Sequence, residues 1–361
     1  MKNCESPQKK RTGLARHGIL SFTLATLSVI VACDNPESPQ AQINRLQPPP
    51  PSVNSRQSVA ALPYPAQTII AADSAFNQRN MTGAVAHLSS QVLLSEPSSG
   101  VPTLRGPDAV KTKFEAFVQY FPDARITPLR ILTGPDWVIS ETKLAGTQTR
   151  TLGQNENRNK RFILHGANVH RIQDNSVSEI RVYADAATVV HQLRHERRHA
   201  NPNLPSDTFD EPNIISEPPN TLLEAKLSQF ITAWYNAQEE KLLSLVSKKV
   251  SVENHMWHQA GTGTSFLLDQ ARPTRGLRSV RQIDIRATYS AGDWGAAEIV
   301  VTGSTEEPQA REQAIPIRLS HLVVLRFDSE RVQEVDLYGN TLSIRTALYG
   351  PELFRPKKGA N

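Results

Sequence analysis

Two neighbouring stretches of the sequence place proton-exchanging side chains at alternating positions. Along the predicted strand that ends at Asp185, Tyr183 and Asp185 share one face, because strand side chains point alternately to the two sides. Along the predicted strand before it, Asn168 and His170 share a face for the same reason. If both faces look into one interior, the carboxylate and the imidazole can act as acid and base. Asp185 and His170 are therefore candidate catalytic residues, and Asn168 and Tyr183 are candidate ligand contacts.

The same strand ending recurs later in the chain with different chemistry. The segment EIRVYAD, which ends at Asp185, is matched by EVDLYGN, which ends at Asn340. In this second copy Val323 and Leu325 replace the amide and the imidazole, and Tyr338 is a further candidate ligand contact. The second copy therefore lacks a titratable carboxylate at this place, which favours packing or the binding of an apolar ligand.

A simpler interpretation of Asp185 is a helix cap. The residues that follow it, AATVVHQL, are predicted to be helical, and aspartate is a favoured N-cap residue. Asn340 would cap a following helix equally well. Capping and a catalytic or ligand-binding role both remain open for Asp185.

A tryptophan and a glutamate are repeated on another predicted strand. Trp137 and Glu141 follow a Gly/Asp turn in the first copy, and Trp294 and Glu298 follow the matching turn in the second. These four residues are candidate ligand contacts, and the alternative is that the glutamates are solvated. The sequence contains no GxGxxG, P-loop or HExxH motif, so we predict neither a cofactor nor a metal.

An internal repeat organises the elements that carry these residues. SAFNQRNMTGAVAHLSSQV, residues 74–92, aligns without gaps with TAWYNAQEEKLLSLVSKKV, residues 232–250. Each copy reads as helices followed by a long antiparallel meander, which predicts an α+β class with a curved sheet wrapped around helices.

The first copy resembles a known family. GTQTR at 146–150, RFILHGANVHRIQDNSVSEIRVYAD at 161–185 and VVHQL at 189–193 resemble the SnoaL-like polyketide cyclases of the nuclear transport factor 2-like superfamily. The resemblance covers residues 67–196 and, more loosely, residues 221–350. It implies two cone-shaped domains with apolar cavities. It also implies that Asp185 takes the place of the family's aspartate, which performs acid/base work in a cofactor-free intramolecular aldol reaction.

The N-terminus predicts export and lipid attachment. Residues 1–32 combine a basic start with a short apolar run, which is typical of a secretory signal peptide. The run ends in Ile-Val-Ala-Cys, which resembles a bacterial lipobox and makes Cys33 the predicted lipid attachment site. The protein is therefore expected in the bacterial cell envelope, anchored to a membrane on its extracytoplasmic side.

Two proline-rich segments set the predicted domain boundaries. Residues 33–66 are rich in proline, serine and glutamine, which is typical of an extended tether. Residues 197–220 form a second such segment and predict a linker between the two SnoaL-like domains, and residues 351–361 form a tail. The two domains could also pack against each other as an intramolecular pseudo-dimer, or the chain could dimerise.

Composition and charge limit the partners. The chain has 361 residues, of which 39% are apolar and 21% are charged, an ordinary globular balance for two domains. Of the net charge of +5, residues 1–32 contribute +4, so the remainder carries about +1 and does not predict a nucleic-acid surface. Two functions remain: a membrane-anchored module that binds a small hydrophobic ligand or a partner protein, and a cofactor-free cyclase or isomerase.

The predicted anchor is tested by metabolic labelling with a palmitate analogue. We expect the intact protein to be labelled and Cys33→Ser to lose the label, because the thiol is the acylated group. Cys4→Ser, the matched control, should keep the label. Labelling of the Cys33→Ser variant at the level of the intact protein would contradict the anchor.

Overall fold

The computed structural model describes residues 62–97, 99–150, 159–194, 211–271, 279–305, 315–328, 330–342 and 345. The predicted signal peptide, Cys33, nearly all of the tether, most of the linker and the tail lie outside these residues. Within the described part, no helix is both long enough and apolar enough to cross a membrane.

The first half consists of residues 62–194 together with a short strand at its sheet edge. Its helices are α1 (Tyr64–Asn77), α2 (Met81–Ala84), α3 (Pro107–Tyr120) and α4 (Ala186–Arg194). Its strands are β1 (Leu88–Ser95), β2 (Leu104–Arg105), β3 (Arg125–Thr133), β4 (Trp137–Thr147), β5 (Arg161–Gln173), β6 (Ser176–Ala184) and β7 (Asn213–Ile215). They form one sheet in the order β2-β1-β6-β5-β4-β3-β7.

The second half follows from residue 217 onwards. Its helices are α5 (Thr221–Tyr235), α6 (Glu239–Leu245) and α7 (Thr264–Ala271). Its strands are β8 (Val246–Asn254), β9 (Gln259–Thr262), β10 (Ser279–Ala291), β11 (Trp294–Thr305), β12 (Ile315–Asp328) and β13 (Arg331–Gly339). Their order, β10-β11-β12-β13-β8-β9, matches that of the first sheet when it is read in the opposite direction without its edge strand β7.

The predicted α+β class is confirmed, but the sheets are mixed. The meander from β3 to β6 is antiparallel, as is the meander from β10 to β13. β1 pairs with β6 in parallel, and β8 pairs with β13 in the same way. The sequence prediction of a purely antiparallel sheet missed these pairs, because each joins strands that are far apart in the chain.

Local signals start the helices that lie against the sheets. Asn220 caps α5, because its side-chain oxygen accepts from the backbone amides of Leu222 and Leu223. α1 and α3 each carry a proline in the first turn, where the missing amide hydrogen would have had no intrahelical partner. Part of the predicted linker is also ordered, because β7 pairs in parallel with β3.

The interiors of the two halves differ. The second half has one continuous apolar core that includes residues of α5, α6, β8 and the long meander. The first half has two separate clusters between its sheet and its helices, one around Phe117 and Phe162 and the other around Ile69 and Val138. Side chains from both clusters line a cavity between them.

The other faces of the two sheets pack against each other. A single cluster of buried residues contains side chains from both halves: Leu132, Trp137, Ile139, Ala167, Val169, Tyr183, Ile215, Tyr289, Ala291, Trp294, Ala296, Leu322, Val324 and Tyr338. We call this the inter-sheet layer. Each meander is therefore buried on both faces, with its own core on one side and the inter-sheet layer on the other.

Candidate functional site

Strand register decides which polar residues enter the cavity of the first half. Asn168 pairs with Val182, and His170 pairs with Ile180. All four side chains line the cavity. Tyr183 lies on the opposite face of β6, in the inter-sheet layer. The prediction that Tyr183 and Asp185 share the interior with Asn168 and His170 is therefore wrong, because directly paired residues of neighbouring strands point to the same side.

The cavity has a volume of about 130 Å³ and is mainly apolar. Its wall is built from phenylalanines and aliphatic residues of α1, α3 and the sheet, including Ile69, Phe76, Phe114, Phe117, Leu144, Leu164 and Ile180. Among the polar residues in the wall are Asp73, Glu96, Lys113, Asn168 and His170. An apolar wall with a few polar groups is typical of a small-molecule site.

Asp73 is the carboxyl group of this cavity that lacks a counter-ion. It lies on α1, and its Oδ2 atom is buried with no hydrogen-bond partner among the described residues. Burial raises the pKa of Asp73 from 3.8 to about 7, because the charged form loses its hydration. Asp73 can therefore carry or release a proton near neutral pH.

His170 presents a neutral imidazole to the same cavity. Its Nε2 atom lies 3.2 Å from Ser140 Oγ, and its Nδ1 atom is buried with no partner among the described residues. Burial lowers the pKa of His170 to about 4, so the ring is uncharged at neutral pH. The ring therefore has a free nitrogen for a hydrogen bond to a ligand.

Lys113 and Glu96 form a buried ion pair that also lines the cavity, with side chains 3% and 7% exposed. Their charges compensate each other, so they add polarity to the wall without requiring a charged ligand. Asp73 differs from Glu96 because its Oδ2 atom has no cation or other partner in the part of the chain that the structure describes.

The second half carries apolar residues at the positions of the first half's polar ones. The ungapped repeat places Ile231 at the position of Asp73. Strand pairing places Ala297, Val323 and Leu325 at the positions of Ser140, Asn168 and His170. All four counterparts belong to the continuous core of the second half: Ile231, Ala297, Val323 and Leu325.

The sequence prediction missed Asp73 although a signal was present. Asp73 stands in the middle of α1, directly before the repeat segment, whereas the matching residue Ile231 is apolar. A charged residue on the buried face of one copy only is the signal of a site in that copy. The prediction instead concentrated on the strand ending at Asp185.

Asp185 lies at the junction of the halves, outside the residues that line the cavity. Its Oδ1 atom accepts hydrogen bonds from the backbone amide and the hydroxyl of Thr341, both at 2.8 Å. Its Oδ2 atom accepts from the Thr188 hydroxyl at 2.7 Å and lies 3.6 Å from Arg345 Nη2. This position supports a structural role that links the first turn of α4 to the second half, rather than acid/base work in the cavity. Asn340 caps locally by accepting from the amide of Leu342.

The other predicted ligand contacts lie between the sheets. Trp137, Tyr183, Trp294 and Tyr338 belong to the inter-sheet layer. Glu298 accepts from Arg181 Nε at 2.5 Å and from the Tyr183 hydroxyl at 2.6 Å. Together with Glu141, these five residues lie between the sheets and not in the cavity. Of the predicted site residues that the structure describes, only Asn168 and His170 line the cavity.

Glu141 is buried in the inter-sheet layer opposite Asp336. Its Oε2 atom lies 2.5 Å from Arg130 Nη2, which also donates to Asp336 Oδ2 at 2.5 Å. Burial raises the pKa of Glu141 to about 7, although Arg130 acts in the opposite direction. A group of potential metal ligands in the described residues, Glu253, His255 and Asp336, is next to this pair. Arg130 already supplies positive charge to Asp336, so this group does not favour a cation.

The half that holds the cavity is similar to a known protein family. Residues 66–193 match the family described as SnoaL-like polyketide cyclase. This segment is therefore similar to that family, and we call it the SnoaL-like domain. The matched range contains every cavity residue named above, whereas all residues of the second half lie outside it.

Solved structures show the same kind of similarity. One is a protein with a ketosteroid isomerase-like fold from Catenulispora acidiphila, solved with trimethylamine: 19% identity, 34% of this chain, 92% of that chain and a TM-score of 0.30. Another is a nuclear transport factor 2-like protein of unknown function from Burkholderia pseudomallei: 16% identity, 37% of this chain, 98% of that chain and a TM-score of 0.32. A comparison with curated protein sequences gives no match.

The raised pKa of Asp73 predicts a specific pH dependence of stability. Between pH 4 and pH 7 the folded SnoaL-like domain keeps a proton on Asp73 that the unfolded chain has released. The free energy of unfolding therefore falls as the pH rises through this window. Asp73→Asn removes this contribution, so the variant should gain about 1–3 kcal/mol relative to the parent between pH 4 and pH 7.5.

Urea unfolding of both proteins across this pH range measures the difference. The low pKa of His170 acts with the opposite sign, because its stabilising effect is lost as the pH falls from 6.5 towards 4, but it is present in both proteins and cancels. Parallel stability profiles for the two proteins would show that Asp73 is not held protonated by the fold.

Proposed function

We propose that the SnoaL-like domain binds a small, uncharged and largely apolar molecule in its cavity, and that the chain holds this domain at a membrane through acylated Cys33. The observation that carries the binding proposal is the contrast between the halves. The same architecture closes around Ile231, Val323 and Leu325 in one half, and around Asp73, Asn168 and His170 in the other.

The polar residues are unfavourable for folding. A buried carboxyl oxygen without a hydrogen-bond partner, such as Asp73 Oδ2, costs about 1–3 kcal/mol, and a buried imidazole nitrogen without a partner adds to this. The second half demonstrates that the fold does not need polar groups at these positions. A destabilising set of polar groups around a cavity therefore supports ligand binding.

The protonation states favour an uncharged ligand. The raised pKa of Asp73 keeps a large fraction of this carboxyl group neutral near pH 7, and the lowered pKa of His170 keeps the imidazole neutral. A protonated carboxyl group donates a hydrogen bond, and a neutral imidazole can donate or accept. A ligand with one carbonyl or hydroxyl group matches these partners.

The volume limits the size of the ligand. An apolar cavity of about 150 Å³ engineered in another protein accepts benzene. The cavity of about 130 Å³ therefore suits a single six-membered ring or a short chain, and a multi-ring molecule is too large for it. We accordingly propose a ligand smaller than an aromatic polyketide.

Exchanging the polar residues for their counterparts tests this proposal. The variant Asp73→Ile, Asn168→Val and His170→Leu, with Ser140→Ala at the partner of His170, introduces the residues of the second half. We expect a melting temperature several degrees above that of the parent, because buried polar groups without partners are removed.

We also expect the variant to lose binding of cyclohexanone, measured by ligand-observed NMR. Cyclohexanecarboxylate, which is charged, should bind the parent at least about tenfold more weakly than cyclohexanone. The control variant Glu115→Gln changes an exposed residue of α3 and should bind like the parent. A destabilised variant that still binds cyclohexanone would contradict the proposed site.

A second candidate function is proton transfer at a carbon next to a carbonyl group. It is favoured by the pKa of Asp73, which lies near neutral pH, because such a group can accept a proton and later return it. As a carboxylate, Asp73 would take the proton from this carbon while the C–H electron pair forms the enolate. The protonated Asp73 would then deliver a proton to the same or a conjugated carbon, so no cofactor is needed.

Deuterium incorporation into cyclohexanone in D₂O distinguishes catalysis from binding alone. The parent should exchange the hydrogens next to the carbonyl faster than buffer, with the rate rising up to about pH 7 as Asp73 ionises. Asp73→Asn should reduce the rate to that of buffer, while Asp185→Asn, which changes the junction of the halves, should retain it. Binding of cyclohexanone without exchange would support the binding function and exclude this enzymatic one.

A further inference from the structure

The inter-sheet layer contains two buried groups of charged residues that connect the halves. In the first group, Arg181 on β6 contacts Glu298 on β11 through two hydrogen bonds of 2.5 and 2.7 Å. The hydroxyls of Tyr183 and Tyr289 also donate to Glu298. Glu298 is 3% exposed, so this carboxylate depends on donors from both halves.

In the second group, Arg130 on β3 serves two carboxylates. Its Nη2 atom lies 2.5 Å from Glu141 of its own half and 2.5 Å from Asp336 on β13 of the other half. Its guanidinium also lies 3.7 Å above the ring of Trp294. Arg130 is therefore the cation that allows Glu141 and Asp336 to be buried together.

The two groups occupy equivalent places in the repeated architecture. Glu141 pairs with Ala167 and Glu298 with Leu322, so the two glutamates are counterparts in the strand register. Arg181 pairs with Val169, and Asp336 pairs with Val324 in the same register. The arginine of the first half therefore corresponds to the aspartate of the second half.

The remaining arginine also has an uncharged counterpart. Arg130 pairs with Glu141, whereas Ala287 pairs with Glu298. At these three pairs of equivalent positions the first half thus carries two arginines and one glutamate. The second half carries one glutamate, one aspartate and one alanine there, while Glu179 and Glu334 add one carboxylate to each side.

The buried charges of the first half complement those of the second half. The charges of two identical halves would not complement each other. If two second halves met through the same arrangement, Asp336 would lie beside Glu298 with no arginine at position 287. Two buried carboxylates without a cation repel each other and lose their hydration. If two first halves met, Arg130 and Arg181 would keep only Glu141 and Glu179 of their own half, and Arg181 would lose its two hydrogen bonds to Glu298.

A third contact has the same asymmetry. Asp185 of the first half accepts from the hydroxyl of Thr341 in the second half. The repeat places Ala186 at the position of Thr341, and alanine offers no hydroxyl. Two first halves would therefore leave this buried carboxylate without one of its donors.

We propose that the inter-sheet faces are specific for the opposite half of the chain, so that the second half is a built-in partner of the cavity-bearing half and neither face pairs with its own kind. The residues that determine this specificity are Arg130, Arg181 and Asp336, with Ala287 as the position that must lack a cation. This proposal is independent of the ligand, because none of these four residues lines the cavity.

The test uses the full chain with a protease site inserted between Ser216 and Glu217, so that β7 stays with the first half, and cleaved after folding. Native mass spectrometry of the nicked protein should show one first half with one second half. Isotope-labelled and unlabelled nicked proteins are then mixed, taken through partial unfolding in urea and refolded by dilution. Only opposite halves should re-form complexes. Complexes of two first halves or of two second halves in comparable amounts would overturn the proposal.

Charge exchange provides the matched variants. Arg130→Ala with Arg181→Asp gives the first half the residues of the second, and pairing with the unchanged second half should weaken by roughly tenfold or more. Ala287→Arg with Asp336→Arg in the second half should restore pairing with the altered first half. The exposed pair on α3, changed as Lys111→Ala with Glu115→Ala, serves as the control and should pair like the parent.

If the separated halves do not refold, the melting temperatures of the uncleaved variants test the same proposal. Each double variant alone should lower the melting temperature, and the chain with all four changes should recover most of the loss. If the four-fold variant melts no higher than the two double variants, the buried charges do not specify the pairing.

Discussion

The burial of both sheet faces is the constraint on which the rest of this structure depends. Each meander has its own helices on one side and the other meander on the opposite side, so no central strand has a solvated face. Because strand side chains alternate, consecutive residues are divided between the core and the inter-sheet layer. On β4, for example, Val138 and Ser140 face the interior of the SnoaL-like domain, and Ile139 and Glu141 face the second half. A polar residue on these strands must therefore find its partner in one of two enclosed environments.

The two environments handle polar groups differently. In the inter-sheet layer the carboxylate of Glu298 is satisfied by Arg181 and by two tyrosine hydroxyls. In the cavity, Asp73 Oδ2 and His170 Nδ1 have no partner among the described residues. The inter-sheet layer also has atoms without a partner among the described residues, Glu141 Oε1 and Arg130 Nε, but its carboxylates contact arginines. Buried ion pairs hold a specific arrangement, whereas a buried carboxyl group without a cation beside a cavity is available to a ligand. Buried charge thus has a structural role on one face of the sheet and a proposed chemical role on the other.

The repeat makes this division of roles visible. The second half fills its interior with Leu, Ile, Val, Phe and Trp side chains and contributes carboxylates to the layer between the sheets. The SnoaL-like domain keeps a cavity and contributes both arginines that neutralise those carboxylates. The apolar interior and the carboxylates of the outer face are separate features of the second half, and together they suit it to be the proposed partner of the SnoaL-like domain. The proposed ligand function then belongs to a domain whose sheet is supported from within the same chain.

The sequence by itself determined the α+β class, the repeat, the antiparallel meanders and the interior position of Asn168 and His170, because these follow from local periodicity and from motifs that keep their spacing. It did not determine the neighbours of Tyr183 and Asp185, since the register between β5 and β6 decides which residues share a face, and a shift of one residue reverses every assignment. It also could not place Glu141 and Glu298, because a strand glutamate looks solvated until a second sheet covers it. Asp73 became a site residue only when α1 was packed over the sheet, where burial between two apolar clusters deprives its carboxyl group of water. Tertiary structure decided these points because they depend on strand register and on contacts between distant residues, such as Tyr183 with Glu298 and Asp185 with Thr341.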